Sequence, residues 1–179
     1  MKVFLNPGHA PNGNPDPGAV NSTTGLRESD VVAAVASRVA KYLADAGVQV
    51  AGVCQNDSLS EIVCEANASS ADIFVSIHCN SASNPSAEGT ETFYHSCSGE
   101  GAKLARCIQN QLINAMDTVD RGIKSGNGLY VIKHTDMPAV LVELAFISNQ
   151  DDVVLLEENQ DDFARAIARG VTDYQQQMA

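Results

Sequence analysis

Two stretches of this chain, D-I-F-V-S-I at 72–77 and V-L-V-E-L-A-F at 140–146, are apolar at almost every position. A half-exposed strand alternates apolar and polar side chains, whereas a parallel strand covered on both faces reads as a continuous apolar run. The two runs are short for helices, so they call for a sheet with helical layers on both sides. The remaining pattern supplies those layers. Val31, Val35, Val39 and Leu43 recur every four residues and predict a helix over 30–46 that ends before Gly47. Leu104, Ile108 and Leu112 predict another over 101–116, residues 161–176 close the chain as a helix, and S-L-S-E at 58–61 offers a capping box for one that fades near 68–70. Strands are expected at 2–5, 48–53, 73–77 and 139–144, with a more exposed one at 90–94 and a short one at 128–132. Apolar runs alternating with helical patterns mark an α/β domain. No repeat or linker divides the 179 residues, which suit a single domain with one core.

Composition excludes several classes. No run reaches the roughly 18 to 20 apolar residues of a membrane helix, so no membrane span is expected. The 22 acidic and 11 basic side chains give a formal charge of -11, which repels a phosphate backbone, so nucleic acid is not an expected partner. Five cysteines, odd in number and without a C-x-x-C pair, are read as reduced small apolar residues. The N-terminus M-K-V-F-L-N-P-G breaks into a turn before the apolar core of about 7 to 15 residues that a signal peptide needs. The expectation is a chain made in the cytoplasm without a visible signal peptide, or one that has lost a leader.

In open α/β sheets, sites gather outside the carboxyl ends of the strands. His9 follows the first strand in a long loop, N-P-G-H-A-P-N-G-N-P-D-P-G at 6–18; His78 follows the 73–77 strand; Glu143 lies at the end of the 139–144 strand; and Glu28 stands just before the first amphipathic helix. Each alone fits a structural role, as a capping or hydrogen-bonded side chain. Glu143 resists that reading, because a carboxylate within an apolar strand costs several kcal/mol unless it is neutralised, paired or near a metal. Two histidines and a carboxylate, with a fourth position left to water, make the ligand set of a catalytic zinc site. Cys79 neighbours His78 but faces the other side of its strand, so it is read as a packed thiol rather than a nucleophile.

N-P-G-H at 6–9, G-L-R-E at 25–28, S-I-H-C-N at 76–80, G-T-E-T-F-Y at 89–94 and M-P-A-V-L-V-E-L-A-F-I-S-N at 137–149 resemble, in order, the blocks of zinc-dependent N-acetylmuramoyl-L-alanine amidases of the amidase-3 type. The resemblance implies a twisted, mostly parallel six-stranded sheet flanked by helices, with 1–179 as one catalytic domain. It implies zinc held by His9, Glu28 and His78, a catalytic Glu143, and peptidoglycan as substrate. One departure is visible. The family usually has glycine where Ala145 stands, and the extra methyl group is expected to crowd the pocket slightly.

Weaker candidates surround these four. Asp16 and Asn80 either orient metal ligands, since a ligating histidine usually donates its other N–H, or cap loops. His134, in K-H-T-D-M-P, either meets the oxyanion or peptide stem or is merely solvated. His95 and Cys97 are read as peripheral. Two other functions remain open: a non-catalytic wall-binding or regulatory module, and a zinc hydrolase of another peptide amide. Because many walls are polyanionic, a domain at -11 is expected to need a separate wall-binding domain in a longer protein. It would act on the wall after release or lysis, as a phage endolysin or a bacterial autolysin.

Overall fold

A computed structural model describes residues 1–178. Six strands, β1 (Lys2–Pro7), β2 (Gln49–Val53), β3 (Ile73–Asn80), β4 (Thr90–Tyr94), β5 (Asp120–Ser125) and β6 (Ala139–Phe146), form one sheet in the order β2-β1-β3-β6-β4-β5. The first four in that order are parallel; β4 runs antiparallel to β6, and β5 runs parallel to β4. The helices are α1 (Glu28–Asp45), α2 (Leu59–Ala68), α3 (Gly99–Ala115), α4 (Tyr130–His134), α5 (Gln150–Glu158) and α6 (Gln160–Met178).

The two apolar runs form the middle of the sheet, and alternation sorts their side chains between two cores. Val75, Ile77 and Cys79 of β3 and Val140, Val142 and Leu144 of β6 join the cluster built with α1, α3 and α6. Phe74 and Leu141 point the other way, into a smaller cluster with α2 and α4. That second face is thinly covered, because α4 is only 5 residues long and α2 only 10. The polar residues of the central strands, Ser76 and His78 on β3 and Glu143 on β6, fall on this thin side by the two-residue period of a strand. On β1, Asn6 follows the same rule: its side chain bonds the Cys54 carbonyl at 2.9 Å and accepts from the Ser76 hydroxyl at 2.7 Å.

Several expectations need correction. Residues 128–132 are not a strand: Val131 and Ile132 are buried on the short helix α4, and the neighbouring strand is β5, whose D-R-G-I-K-S carries one large apolar residue and no alternation to betray it. β4 is not a more exposed strand, since it lies between β6 and β5 with Thr90, Glu91 and Thr92 buried. Helix α5, which lacks a long apolar stripe, has no counterpart among the expected elements; Asn149 caps it by accepting from the N–H groups of Asp151 and Asp152. Helix α1 starts at Glu28, two residues early, so Glu28 occupies its first turn rather than the preceding loop. The capping box of α2 is half formed: Glu61 N–H donates to Ser58 Oγ, while the Glu61 carboxylate turns to Asn56. Ala145 packs fully buried in the larger core, away from the thin face, so its methyl group does not crowd the pocket.

The larger core is closed where α3 and α6 cross at Gly170. A Cβ there would lie 2.5 Å from Ile108 Cα and 2.8 Å from Ile108 N, and helix backbone cannot yield as a flexible side chain can. Gly170→Ala is expected to cost about 1–3 kcal/mol through overpacking, despite the better helix propensity of alanine. Urea unfolding with an unchanged m-value would check this.

Candidate metal centre

Glu28 sits at the first turn of α1, beneath the carboxyl end of β3. Its Oε2 accepts the Ala19 N–H at 2.9 Å, and its Oε1 accepts the Cys79 N–H at 2.9 Å. The same Oε1 faces His9 Nε2 at 2.9 Å and His78 Nδ1 at 3.0 Å. The turn that carries His9 needs a left-handed backbone at His9 itself, with φ of 66°. Such a conformation is uncommon outside glycine, and non-glycine examples cluster at functional sites. Bonds from Gly8 N–H to the Ile77 carbonyl at 3.0 Å and from Ala10 N–H to the Asp16 carbonyl at 2.9 Å hold it.

Two glycines leave room for the rings. A Cβ on Gly8 would lie 2.2 Å from His78 Cε1, and one on Gly18 would lie 2.6 Å from His9 Cδ2 and 2.7 Å from Glu28 Oε2. Gly18 also has φ of +68°, which disfavours any side chain there. On the far side of its ring, His9 Nδ1 meets Asp16 Oδ2 at 2.7 Å, and Gly18 N–H fixes the other Asp16 oxygen at 2.9 Å.

Ligand atoms of His9, Glu28 and His78 all lie within 4.8 Å of one another. Two donors at about 2.1 Å from one tetrahedral ion stand about 3.4 Å apart, so the triad fits a divalent cation with small adjustments. Electrostatics agree. Burial opposes charge on His9, yet the carboxylates of Glu28 and Asp16 overcome it and raise the imidazole to about 9. Burial likewise opposes charge on Glu28, and its bonds to His78 and His9 overcome it, lowering the carboxyl to about 2. Glu28 is thus an anion that demands a cation, supplied by imidazolium or by metal.

Glu143 pairs directly with His78 across β3 and β6. Its Oε2 is sealed from solvent and has no hydrogen-bond partner. Burial, followed by the negative charges of Glu28 and Glu91, raises this carboxyl to about 7 against the opposing pull of the histidines. A cleft of about 290 Å³ opens over the two histidines, with Asp16 on its rim and Leu59, Leu129 and Tyr130 as apolar walls.

The structure therefore brings His9, Glu28 and His78 together, sets Glu143 in the neighbouring position, and sets Asp16 behind His9. Asn80 is turned elsewhere, donating from Nδ2 to Glu91 Oε1 at 2.7 Å rather than to a histidine. His134 is exposed at the end of α4 against the Tyr130 ring, 4.3 Å between centroids, and does not line the cleft. Sequence reasoning missed Glu91, a buried carboxylate paired across the sheet with Glu143; between Thr90 and Thr92 in G-T-E-T-F-Y it lacks the apolar neighbours that made Glu143 conspicuous.

A raised carboxyl carries a stability cost with a definite sign. Between about 4.5 and about 7 the folded protein binds the Glu143 proton more tightly than the unfolded chain, so stability falls as pH rises through that window. Glu143→Gln removes the titration. In the metal-free state, the stability of the variant relative to the parent is expected to rise by roughly 2–3 kcal/mol from pH 4.5 to 7 and then to level off. Chemical denaturation in chelator across that range would test it, and a flat difference would contradict the burial of the carboxyl.

Comparison with known proteins follows the same outline. Residues 3–173 match the family described as N-acetylmuramoyl-L-alanine amidase, Amidase_3. The chain is 41% identical over 182 residues to the uncharacterized protein YqiI of Bacillus subtilis, covering 98% of this chain and 85% of that protein. It is 38% identical over 179 residues to the N-acetylmuramoyl-L-alanine amidase LytC of Bacillus subtilis, covering 96% of this chain but only 35% of LytC. The crystal structure of N-acetylmuramoyl-L-alanine amidase from Clostridium difficile 630 superposes with a TM-score of 0.90 at 33% identity, covering 99% of this chain and 98% of that one. With a family match over nearly its whole length and the same six-stranded architecture, this chain belongs to the Amidase_3 family of N-acetylmuramoyl-L-alanine amidases.

Proposed function

We propose that this chain hydrolyses the amide between N-acetylmuramic acid and L-alanine in peptidoglycan, with zinc held by His9, Glu28 and His78 and with Glu143 moving the protons. The observation that carries the reading is the half-buried Glu143, whose Oε2 is sealed and without a partner, in register beside a histidine of a converging His/Glu/His set. Two imidazoles and one carboxylate suit zinc over harder cations, which prefer all-oxygen shells. Bound there, zinc would supply Lewis acidity, polarising the scissile carbonyl and lowering the pKa of water from 15.7 to about 7.

The chain's own residues do the rest. Asp16 accepts from His9 Nδ1, which leaves the Nε2 lone pair for a metal ion that His9, Glu28 and His78 would hold together. Glu143, poised near 7, can take a proton from the attacking water and return it to the departing alanine nitrogen. Leu59, Leu129 and Tyr130 give the cleft apolar walls that limit water around the reacting groups.

The reading extends to context. The chain is made in the cytoplasm and acts on the wall after release or lysis, as an endolysin or autolysin. At a net charge of -11, attachment to a polyanionic wall falls to a wall-binding region of a longer protein.

Digestion of purified peptidoglycan should expose new L-alanine amino termini, identified by mass spectrometry, without new reducing sugars. Glu143→Gln should retain stoichiometric zinc while kcat drops by about 10²–10⁴, and His78→Ala should lose both metal and turnover. New reducing ends, cleavage within the stem, or a Glu143→Gln rate near that of the parent would overturn the reading.

A further inference from the structure

Glu91 stands directly across from Glu143 on β4, and Glu143 stands across from His78, so His78, Glu143 and Glu91 form a row across three strands on the thin face. Unlike Glu143, Glu91 is fully partnered. Its Oε1 accepts from Asn80, and its Oε2 accepts from Arg121 Nε at 2.8 Å and from Lys124 Nζ. Every other Lys or Arg ion pair among the described residues joins positions three or four apart along the chain, on or at the start of a helix. This cluster alone gathers two cations from a strand onto a buried acid.

The convergence depends on a local irregularity. Arg121 and Lys124 are three apart, and regular alternation would send them to opposite faces of β5. The register between β4 and β5 shifts between Thr90 and Thr92, and Gly122 adopts φ of 75°, so the strand carries an extra residue that turns Arg121 toward Lys124. Nothing lies within 4 Å of a Cβ built on Gly122, so glycine serves the backbone conformation there and not a close contact.

A purely structural ion pair would need one cation. Two cations on one carboxylate leave a net positive charge, and both side chains remain accessible, 32% exposed for Arg121 and 40% for Lys124. Arg121 Nη1 is spent on the Glu88 carbonyl, and its guanidinium rests on the Phe146 ring at 4.8 Å. Arg121 Nη2 and the remaining Lys124 ammonium hydrogens have no partner among the described residues. They are spare donors, preset by Glu91, at the far end of the row that starts at the metal ligands.

We propose that Arg121 and Lys124, drawn together on Glu91, form a subsite for a carboxylate on the peptide leaving side of the scissile amide. The inference rests on the amidase reading and adds where the peptide lies. Strands are spaced about 4.8 Å apart, so β5 is about 10 Å from β6, and an extended peptide covers that distance in two to three residues. The acid engaged is therefore on the second or third residue of the stem. N-acetylated sugars carry no charge to compete for the pair, which fixes the polarity of the substrate: glycan toward β1, peptide across β4 and β5.

The test compares a muramoyl tripeptide with free carboxylates on its second and third residues against the same compound with both as carboxamides. The readout is the ratio of the two kcat/KM values, which does not depend on the fraction of enzyme correctly folded. The parent is expected to favour the carboxylate about tenfold or more. Lys124→Gln, which leaves Arg121 on Glu91, should bring the ratio toward one mainly by raising KM for the carboxylate; Arg121→Gln should do the same, and Lys124→Arg should preserve the preference. A parent ratio near one, or a ratio unchanged in both glutamine variants, would overturn the subsite and leave the amidase reading intact. A parent that cleaves neither compound but liberates fragments from within the stem would overturn both.

Discussion

The Glu28 carboxylate joins every part of the site. It belongs to the first turn of α1, yet its two oxygens take up the Ala19 and Cys79 amides and face both histidines. The long loop after β1, the end of β3 and the start of α1 therefore meet at one buried anion. Removing a partner from such a group leaves an uncompensated charge, which costs about 3–5 kcal/mol. In the metal-free protein the His9 imidazolium supplies the balancing charge, and a divalent ion held by the three ligand atoms would supply it instead. The same requirement, charge balance at Glu28, shapes the turn, the two glycines beneath the rings and the coordination chemistry.

Beside that anion the sheet holds two more glutamates in opposite electrostatic regimes. Burial works against the charge on both. At Glu143 it prevails, because no cation or donor answers Oε2, and the carboxyl rises to about 7. At Glu91 it does not, because Lys124 and Arg121 hold the carboxyl below its ordinary value. Neighbouring carboxyls driven apart in this way suit a division of labour, one able to exchange protons near neutrality while the other stays a fixed charge. Strand register places them side by side on the face that the short helices α2 and α4 cover thinly.

How far the chain can be read without coordinates varies by element. V-S-I-H-C-N shows why the centre was legible: its branched residues demand a strand buried on both faces, and the two-residue period then puts His78 and Cys79 on opposite sides. V-L-V-E-L-A-F is legible for the same reason, since an acid among apolar neighbours calls for a physical explanation. The failures lie where burial leaves no pattern. D-R-G-I-K-S pairs as β5 through backbone bonds and a bulge, and its burial at the sheet edge is partial, so it looks like a loop. Residues 128–132 offered an apolar pair that a one-turn helix buries as well as a strand does. For Asn80 the sequence leaves two roles open, orienting a metal ligand or capping a loop. Its actual partner, Glu91, arrives from a strand that runs the other way, and local spacing carries no trace of that.

Charge distribution gives the site its remaining constraint. With a formal charge of -11, the surface as a whole repels anions, and five of the cations that could soften this are committed to ion pairs within a helix or at its start. At physiological ionic strength such repulsion is screened beyond about 8 Å. It therefore governs approach to an extended polyanion, where many charges act at once, far more than it governs contacts inside the cleft. Along the row of strands the balance is local: the buried Glu28 carboxylate calls for a cation at one end, and the Arg121 and Lys124 pair outnumbers its carboxylate at the other. Long-range steering at this net charge disfavours anionic partners, so any recognition of an anionic group has to come from short-range donors such as these, arranged along the sheet.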